Sequence, residues 1–364
     1  MARSLSLLIA AVASLGGAAL ALSQGGVAYR TLVTSFGGAG TVPFGVLAVA
    51  LTLVAIGALL HLVASATAGW SSLGVVVVGI VQTLVGLAAV VLPARFGGLD
   101  GPASPVQVAV GWIYGVLPDL GTGLYLALPT GLVLVIGLAN ILLGIVATRR
   151  RRGTIASPAV ARIVAVLLAL FVALPAAGLV AAGGFANYVQ TLQALRGPSP
   201  WGIALLTAGA ALILVIVLAV RWSSLAALLG GFLLIGASIA YLLLPVGMLA
   251  PITAQRGLRD AVSGIQTFAW SGAFLILGCL LIGAGIAGRV AGRVGARRSN
   301  FVAARPGAEG DAPARPWATP GYTPIDGGGA GGAAVAAPGY TPVDGGSPDA
   351  PTAVILPGET SGSR

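Results

Sequence analysis

Trp70-Ser71-Ser72-Leu73 returns 152 residues later as Trp222-Ser223-Ser224-Leu225. The same offset pairs Gly79 with Gly231, Ala88 with Ala240, and Leu92-Pro93 with Leu244-Pro245. Eight of the 24 positions in 70–93 therefore match 222–245. A fixed offset through an apolar stretch points to an internal duplication. Further along, the offset shortens to 141: Gly131, Gly137 and Gly144 match Gly272, Gly278 and Gly285, and Ile141 and Ile145 match Ile282 and Ile286. Near the start, Gly25-Gly26-Val27-Ala28-Tyr29 parallels Gly183-Gly184-Phe185-Ala186-Asn187-Tyr188 with one insertion.

The medium in which these copies fold follows from composition. Hydrophobic residues make up 57% of the 364 and charged residues 8%, against about 25% charged in soluble domains. Between Arg30 and Arg95 no Asp, Glu, Lys or Arg occurs. About 20 apolar residues cross a bilayer as a helix. The chain is expected to be an all-α integral membrane protein of about eight transmembrane helices. The runs 5–23, 43–66, 71–92, 124–147, 160–182, 201–220, 224–246 and 266–288 supply them. Repeat one is then 1–152 and repeat two 153–298, each of four helices. An even span count makes the repeats parallel, with an axis along the membrane normal.

Charge sets orientation. The net charge is +10, and every basic side chain other than His61 is an arginine. The run Arg149, Arg150, Arg151 and Arg152 closes an apolar segment, as expected of a cytoplasmic topology anchor. Arg3, Arg221, Arg289, Arg293, Arg297 and Arg298 fall on the same side of an eight-span chain. These arginines predict a plasma (inner) membrane protein with both termini cytoplasmic, bound to the lipid bilayer and not to nucleic acid. The first span also fits a secretory signal ending at Ala19-Leu20-Ala21, but its parallel with the fifth span favours retention. The alanine- and glycine-rich, lysine-free composition points to a high-GC bacterial genome. In composition alone the chain resembles multi-pass proteins of actinobacteria.

Residues 299–364 differ. They are rich in Pro, Gly and Ala without apolar periodicity, which predicts a disordered cytoplasmic tail. Pro320-Gly321-Tyr322-Thr323-Pro324-Ile325-Asp326-Gly327-Gly328 recurs from Pro338 to Gly346 with one Ile/Val change. Thr323 and Thr341 are phosphorylation candidates, and Asp at the third position after each resembles one preference of forkhead-associated domains. A cytoplasmic protein partner is expected to dock there, although copying by slippage gives the same pattern.

Candidate chemistry in the spans is sparse. The nine acidic residues lie in predicted outer loops or the tail, whereas ion-coupled carriers place ionisable groups inside the bilayer. His61 is the one histidine, late in the second span near the cytoplasmic interface. Alone, it provides neither an ordinary metal site nor an oriented base. Cys279 is the one cysteine, so no intramolecular disulfide forms. Without lysine there is no P-loop. No cofactor and no catalysis are expected. Gln82 and Asn140 are mid-span amides suited to bonding across helices, and Leu234 and Leu281 stand in their places in the second copy. Gly137 and Gly144, like Gly278 and Gly285, are seven apart on one helix face and suit close helix packing. The expected role is a non-catalytic scaffold or accessory protein of the cell envelope with a partner-binding tail. The alternative is a permease or channel for a small uncharged or apolar solute between the repeats.

Overall fold

The computed structural model describes residues 2–37, 43–91, 105–152, 159–193, 198–243 and 256–303, all helical or in short turns. Residues 299–303 of the expected tail continue the last helix, and 304–364, with Thr323 and Thr341, lie outside the described residues. In chain order the helices are α1 (Ala2–Gly37), α2 (Phe44–Ala66), α3 (Leu73–Val91), α4 (Pro105–Val116), α5 (Pro118–Ala127), α6 (Leu132–Arg152), α7 (Ala159–Tyr188), α8 (Pro200–Ala219), α9 (Leu225–Leu243), α10 (Arg256–Trp270) and α11 (Ala273–Ala303). Eight of these, all but α4, α5 and α10, are long and apolar enough to span a bilayer. The protein is an all-α polytopic membrane protein.

Several boundaries differ from the hydropathy reading, among them the end of α11, which runs past 288 to Ala303. The run 5–23 continues as helix to Gly37, straight through Gly25-Gly26. Glycine is a poor helix former in water, but here both glycines are buried contacts. Gly25 lies against the Ser271 carbonyl, and a Cβ on Gly26 would stand 2.9 Å from the Gly123 amide nitrogen. The run 124–147 is broken by Gly131 at φ +69°, and the span begins only at Leu132. The run 266–288 is broken in the same way by Gly272 at φ +75°. A positive φ strains every residue that carries a Cβ. The two breaks turn α5 and α10 away from the helices they precede. The short helices α4 and α5 fold back onto the bundle. Gly123 of α5 meets the Leu22 carbonyl of α1, and a Cβ on Gly121 would fall 2.5 Å from Tyr114 Cα of α4.

Close helix approach repeats at the sequence offsets. A Cβ on Gly79 would fall 2.8 Å from the Gly137 oxygen and 2.9 Å from the Ile141 nitrogen. One on Gly231 would fall 2.5 Å from the Gly278 oxygen and 3.0 Å from the Ile282 nitrogen. Gly144 faces Ser72 and Val76, and Gly285 faces Ser224 and Leu228. Gly57 packs on Gly17 and Ala21, and Gly209 packs on Ala176 and Val180. The contacts also cross between halves in both directions: Gly131 meets Leu206 while Gly272 meets Val54, and Gly25 meets Ser271 while Gly184 meets Thr130. In these contacts Gly25 corresponds to Gly184, one position from the Gly-Gly alignment read in sequence. The extra residue therefore falls before Gly183. The most enclosed span is α11, whose Gly278, Gly283, Gly285 and Gly288 lie against α9, α2 and the turn after α8.

The Arg149–Arg152 run and Arg289 gather at one end of the bundle. Arg150 donates to the Val220 carbonyl and Arg151 to the Trp70 carbonyl. Both carbonyls belong to turns that end helices, where unsatisfied oxygens carry partial negative charge. Arg149 is exposed beside them, and Arg152 closes α6. Arg289 Nε donates to Ser224 Oγ at 3.2 Å, while in the first half Thr148 Oγ1 donates to Ser72 Oγ at 2.7 Å. Ser6 Oγ donates to the Ser71 carbonyl at 3.3 Å, which brings the start of α1 to the same end. Trp70 and Trp222 are exposed there. In the second copy of the duplicated motif Ser223 Oγ accepts from the Leu225 amide at 3.3 Å, at the start of α9. In the first copy Thr148 uses the Ser72 oxygen instead. At the other end Arg30 pairs with Asp119.

Overpacking at the crossing should be felt. Gly231→Val places methyls against backbone and is expected to destabilise by about 1–3 kcal/mol. Gly236→Ala, where nothing lies within 4 Å of the added carbon, should leave the protein unchanged. Thermal unfolding of the detergent-solubilised variants checks both outcomes.

Candidate functional site

Four side chains from four spans of the first half join in one hydrogen-bonded chain. Ser65 Oγ on α2 donates to Asn140 Oδ1 on α6 at 3.3 Å. Asn140 Nδ2 donates to Gln82 Oε1 on α3 at 3.0 Å. Gln82 Nε2 donates to Ser14 Oγ on α1 at 3.0 Å. Local sequence explains how they meet. Small residues flank each polar group: Gly17 and Ala21 beside Ser14, Gly57 and Ala58 before Ser65, and Gly79 and Gly137 before the two amides. Amide side chains then reach between backbones brought close by glycine. Interhelical bonds of this kind contribute about 0.6 kcal/mol each, and an unpaired amide in the same place costs more than that.

Beside this chain lies a cavity of about 340 Å³, within the usual range for small-molecule sites. Leu7, Ser14 and Leu22 of α1, His61 of α2, Val81 and Gln82 of α3, Leu128 after α5, and Ile136 of α6 line it. Every other lining residue is Leu, Val, Ile or Ala. Its polar surface comes from Ser14, His61 and Gln82. Where the two halves meet near Gly25, Gly123, Thr130 and Ser271, the void is about 20 Å³, no more than room for a water.

His61 differs from its sequence reading. It is 3% exposed, it makes no hydrogen bond among the described residues, and it lines the cavity. A carbon added at Gly17 would stand 3.4 Å from its Cδ2. The position is late in α2, as sequence placed it, but α1 crosses so closely at Gly17 and Gly57 that the ring is covered rather than set at a headgroup.

The second half places apolar residues at all five positions. The contact offsets pair Ser14 with Ala173, His61 with Ile213, Ser65 with Val217, Gln82 with Leu234 and Asn140 with Leu281. These five are 1% exposed or less. Sequence reading noted the amides and their leucine counterparts. It missed Ser14, His61 and Ser65 as members of the same set, although the offset in the second span makes two of these comparisons directly. Among the described residues no group of three His, Cys, Asp or Glu side chains could hold a metal ion. Gly137, Gly144, Gly278 and Gly285 all lie at buried helix crossings, away from the cavity lining.

The amides should be thermodynamically coupled. Gln82→Leu alone strands the Asn140 amide, and Asn140→Leu alone strands that of Gln82. The double variant copies the second half and strands neither. Its loss of stability should fall short of the sum of the single losses by on the order of 1 kcal/mol, measured by a double-mutant cycle in mixed micelles.

Comparison with protein-family models, with curated proteins and with solved structures finds no match to this chain.

Proposed function

We propose that this chain is a duplicated, non-catalytic membrane protein whose first half binds a small, uncharged, mainly apolar molecule and whose second half is its structural counterpart. The observation that carries the reading is the difference between the halves. Matched glycine contacts support a common origin for them. One retains a polar chain beside a cavity, and the other fills the same positions with Ala, Ile, Val and Leu. Polar groups in a bilayer are costly and are kept where they do something. Packing alone does not require them, since the second half is built without them. The absence of Asp, Glu, Lys and Arg from the cavity wall favours an uncharged occupant. Uptake or transfer of such a molecule is a permease-like role, with its site walled by one half except for Ile276 of α11.

A scaffold role through the tail is the second reading. The two near-identical copies around Thr323 and Thr341 favour it, because each offers a threonine between tyrosine and proline with an aspartate at the third position after it. The arginines at one end of the bundle support placing that end, and both termini, on the cytoplasmic side of a plasma membrane.

The test copies the second half into the first: Ser14→Ala, His61→Ile, Ser65→Val, Gln82→Leu and Asn140→Leu together. The variant should fold, since the substituted set already packs in the same architecture. Small molecules that co-purify with the wild type, read by mass spectrometry of organic extracts, should be absent from it. An identical extract from a folded variant would sink the binding reading. Removal of 299–364 should leave the extract unchanged and abolish capture of cytoplasmic partners. If capture survives truncation, the tail reading fails.

A further inference from the structure

From the shape and chemistry of this cavity we infer its ligand class: a single-chain lipid with one uncharged hydroxyl or carbonyl group, entering sideways from the bilayer between α1 and α3. The inference rests on the binding reading above and makes it specific.

Length comes first. On α1 the wall runs from Leu7 to Leu22, a rise of about 22 Å. That is a large part of the roughly 30 Å of hydrocarbon. A cavity of about 340 Å³ lined over that length suits an elongated apolar occupant.

The entrance comes next. Leu15 and Val81 line the cavity yet are 68% and 52% exposed. Val77 and Val85, one turn to either side of Val81, also line it and are exposed. Residues that face both the slot and the outside form a rim. This rim lies along the middle of two spans, where the surroundings are lipid. A ligand dissolved in the bilayer reaches such a rim without crossing a headgroup layer.

Polarity is the third constraint. His61 is buried, unbonded and part of the wall, so a ring nitrogen is open to an occupant. The Ser14 oxygen accepts from Gln82, which leaves its O–H free to donate. A neutral imidazole offers one donor and one acceptor. A hydroxyl or carbonyl satisfies this pair. A phosphate or carboxylate would enter without a counter-charge, which burial in an apolar slot penalises heavily. A plain alkane would fill the slot and leave His61 unbonded.

The test uses the full-length protein in nanodiscs of dioleoylphosphatidylcholine with hexadecan-1-ol carrying a mid-chain diazirine. Irradiation and peptide mapping should place the label on α1 between Leu7 and Leu22 and on α3 between Val77 and Val85. Unlabelled hexadecan-1-ol should compete at least tenfold better than hexadecane, and hexadecyl phosphate no better than hexadecane. Ser14→Ala with His61→Leu should stay folded and keep the labelling but remove the preference for the alcohol, with a modest fall in unfolding temperature because Gln82 loses its acceptor. Val81→Trp, on the rim, should block labelling in a folded protein. Label confined to other helices, or hexadecane competing as well as hexadecan-1-ol against the wild type, overturns the inference. A co-purifying molecule that is lost in the five-residue variant, with no labelling by the alcohol, also overturns it but leaves the broader binding reading standing. Loss of both ends both.

Discussion

Inside a bilayer a helix gains little by exchanging lipid for protein, because lipid tails are as apolar as leucine. What remains is contact between backbones, and only small residues permit it. At Gly79 against Gly137, and at Gly231 against Gly278, two helices approach until a single added carbon would fall within 3 Å of a main-chain oxygen. The third and fourth spans of each half are held by these crossings, and the first and second by Gly57 and Gly209. The rest of the bundle depends on this closeness. It brings Gln82 within reach of Asn140, covers His61 with α1, and lets α11 sit at the centre with neighbours on several sides.

Glycine acts differently at two other places. At Gly131 and Gly272 the backbone has a positive φ, and each break lies against the opposite half, at Leu206 and Val54. Here glycine supplies a conformation rather than a close approach. The breaks set the last span of each half against the second span of the other. Where the halves meet near Gly25 and Ser271 the void is about 20 Å³, and the cavity of about 340 Å³ is walled by the first half together with Ile276 of α11.

The two halves show what the architecture needs and what it does not. Ala173, Ile213, Val217, Leu234 and Leu281 seal the second half with no buried hydrogen-bond chain at those sites. The first half tolerates a serine, a histidine, a second serine and two amides in equivalent places. A chain of bonds satisfies most of their polar atoms and leaves the His61 ring and the Ser14 hydroxyl proton facing the slot. Residues that differ at matching helix crossings are a more direct pointer to function than either set read alone.

Sequence by itself determined the class and the span count, because crossing hydrocarbon demands long charge-free runs and those are written plainly. It also placed the arginines that gather at one end, and the glycines that lie at the crossings, since spacing along a helix fixes which residues share a face. It did not reveal that α1 runs on through Gly25-Gly26, because local propensity disfavours a helix there and only the contacts with Ser271 and Gly123 explain it. Nor did it reveal the breaks at Gly131 and Gly272, since a glycine in an apolar run looks the same whether it bends or packs. Ser14, His61, Ser65, Gln82 and Asn140 lie on four helices and up to 126 positions apart. Their meeting is a property of helix packing, and so is the slot beside them. Tertiary structure alone decided both, because a cavity is the volume that side chains leave unfilled, and no single segment of the chain carries it.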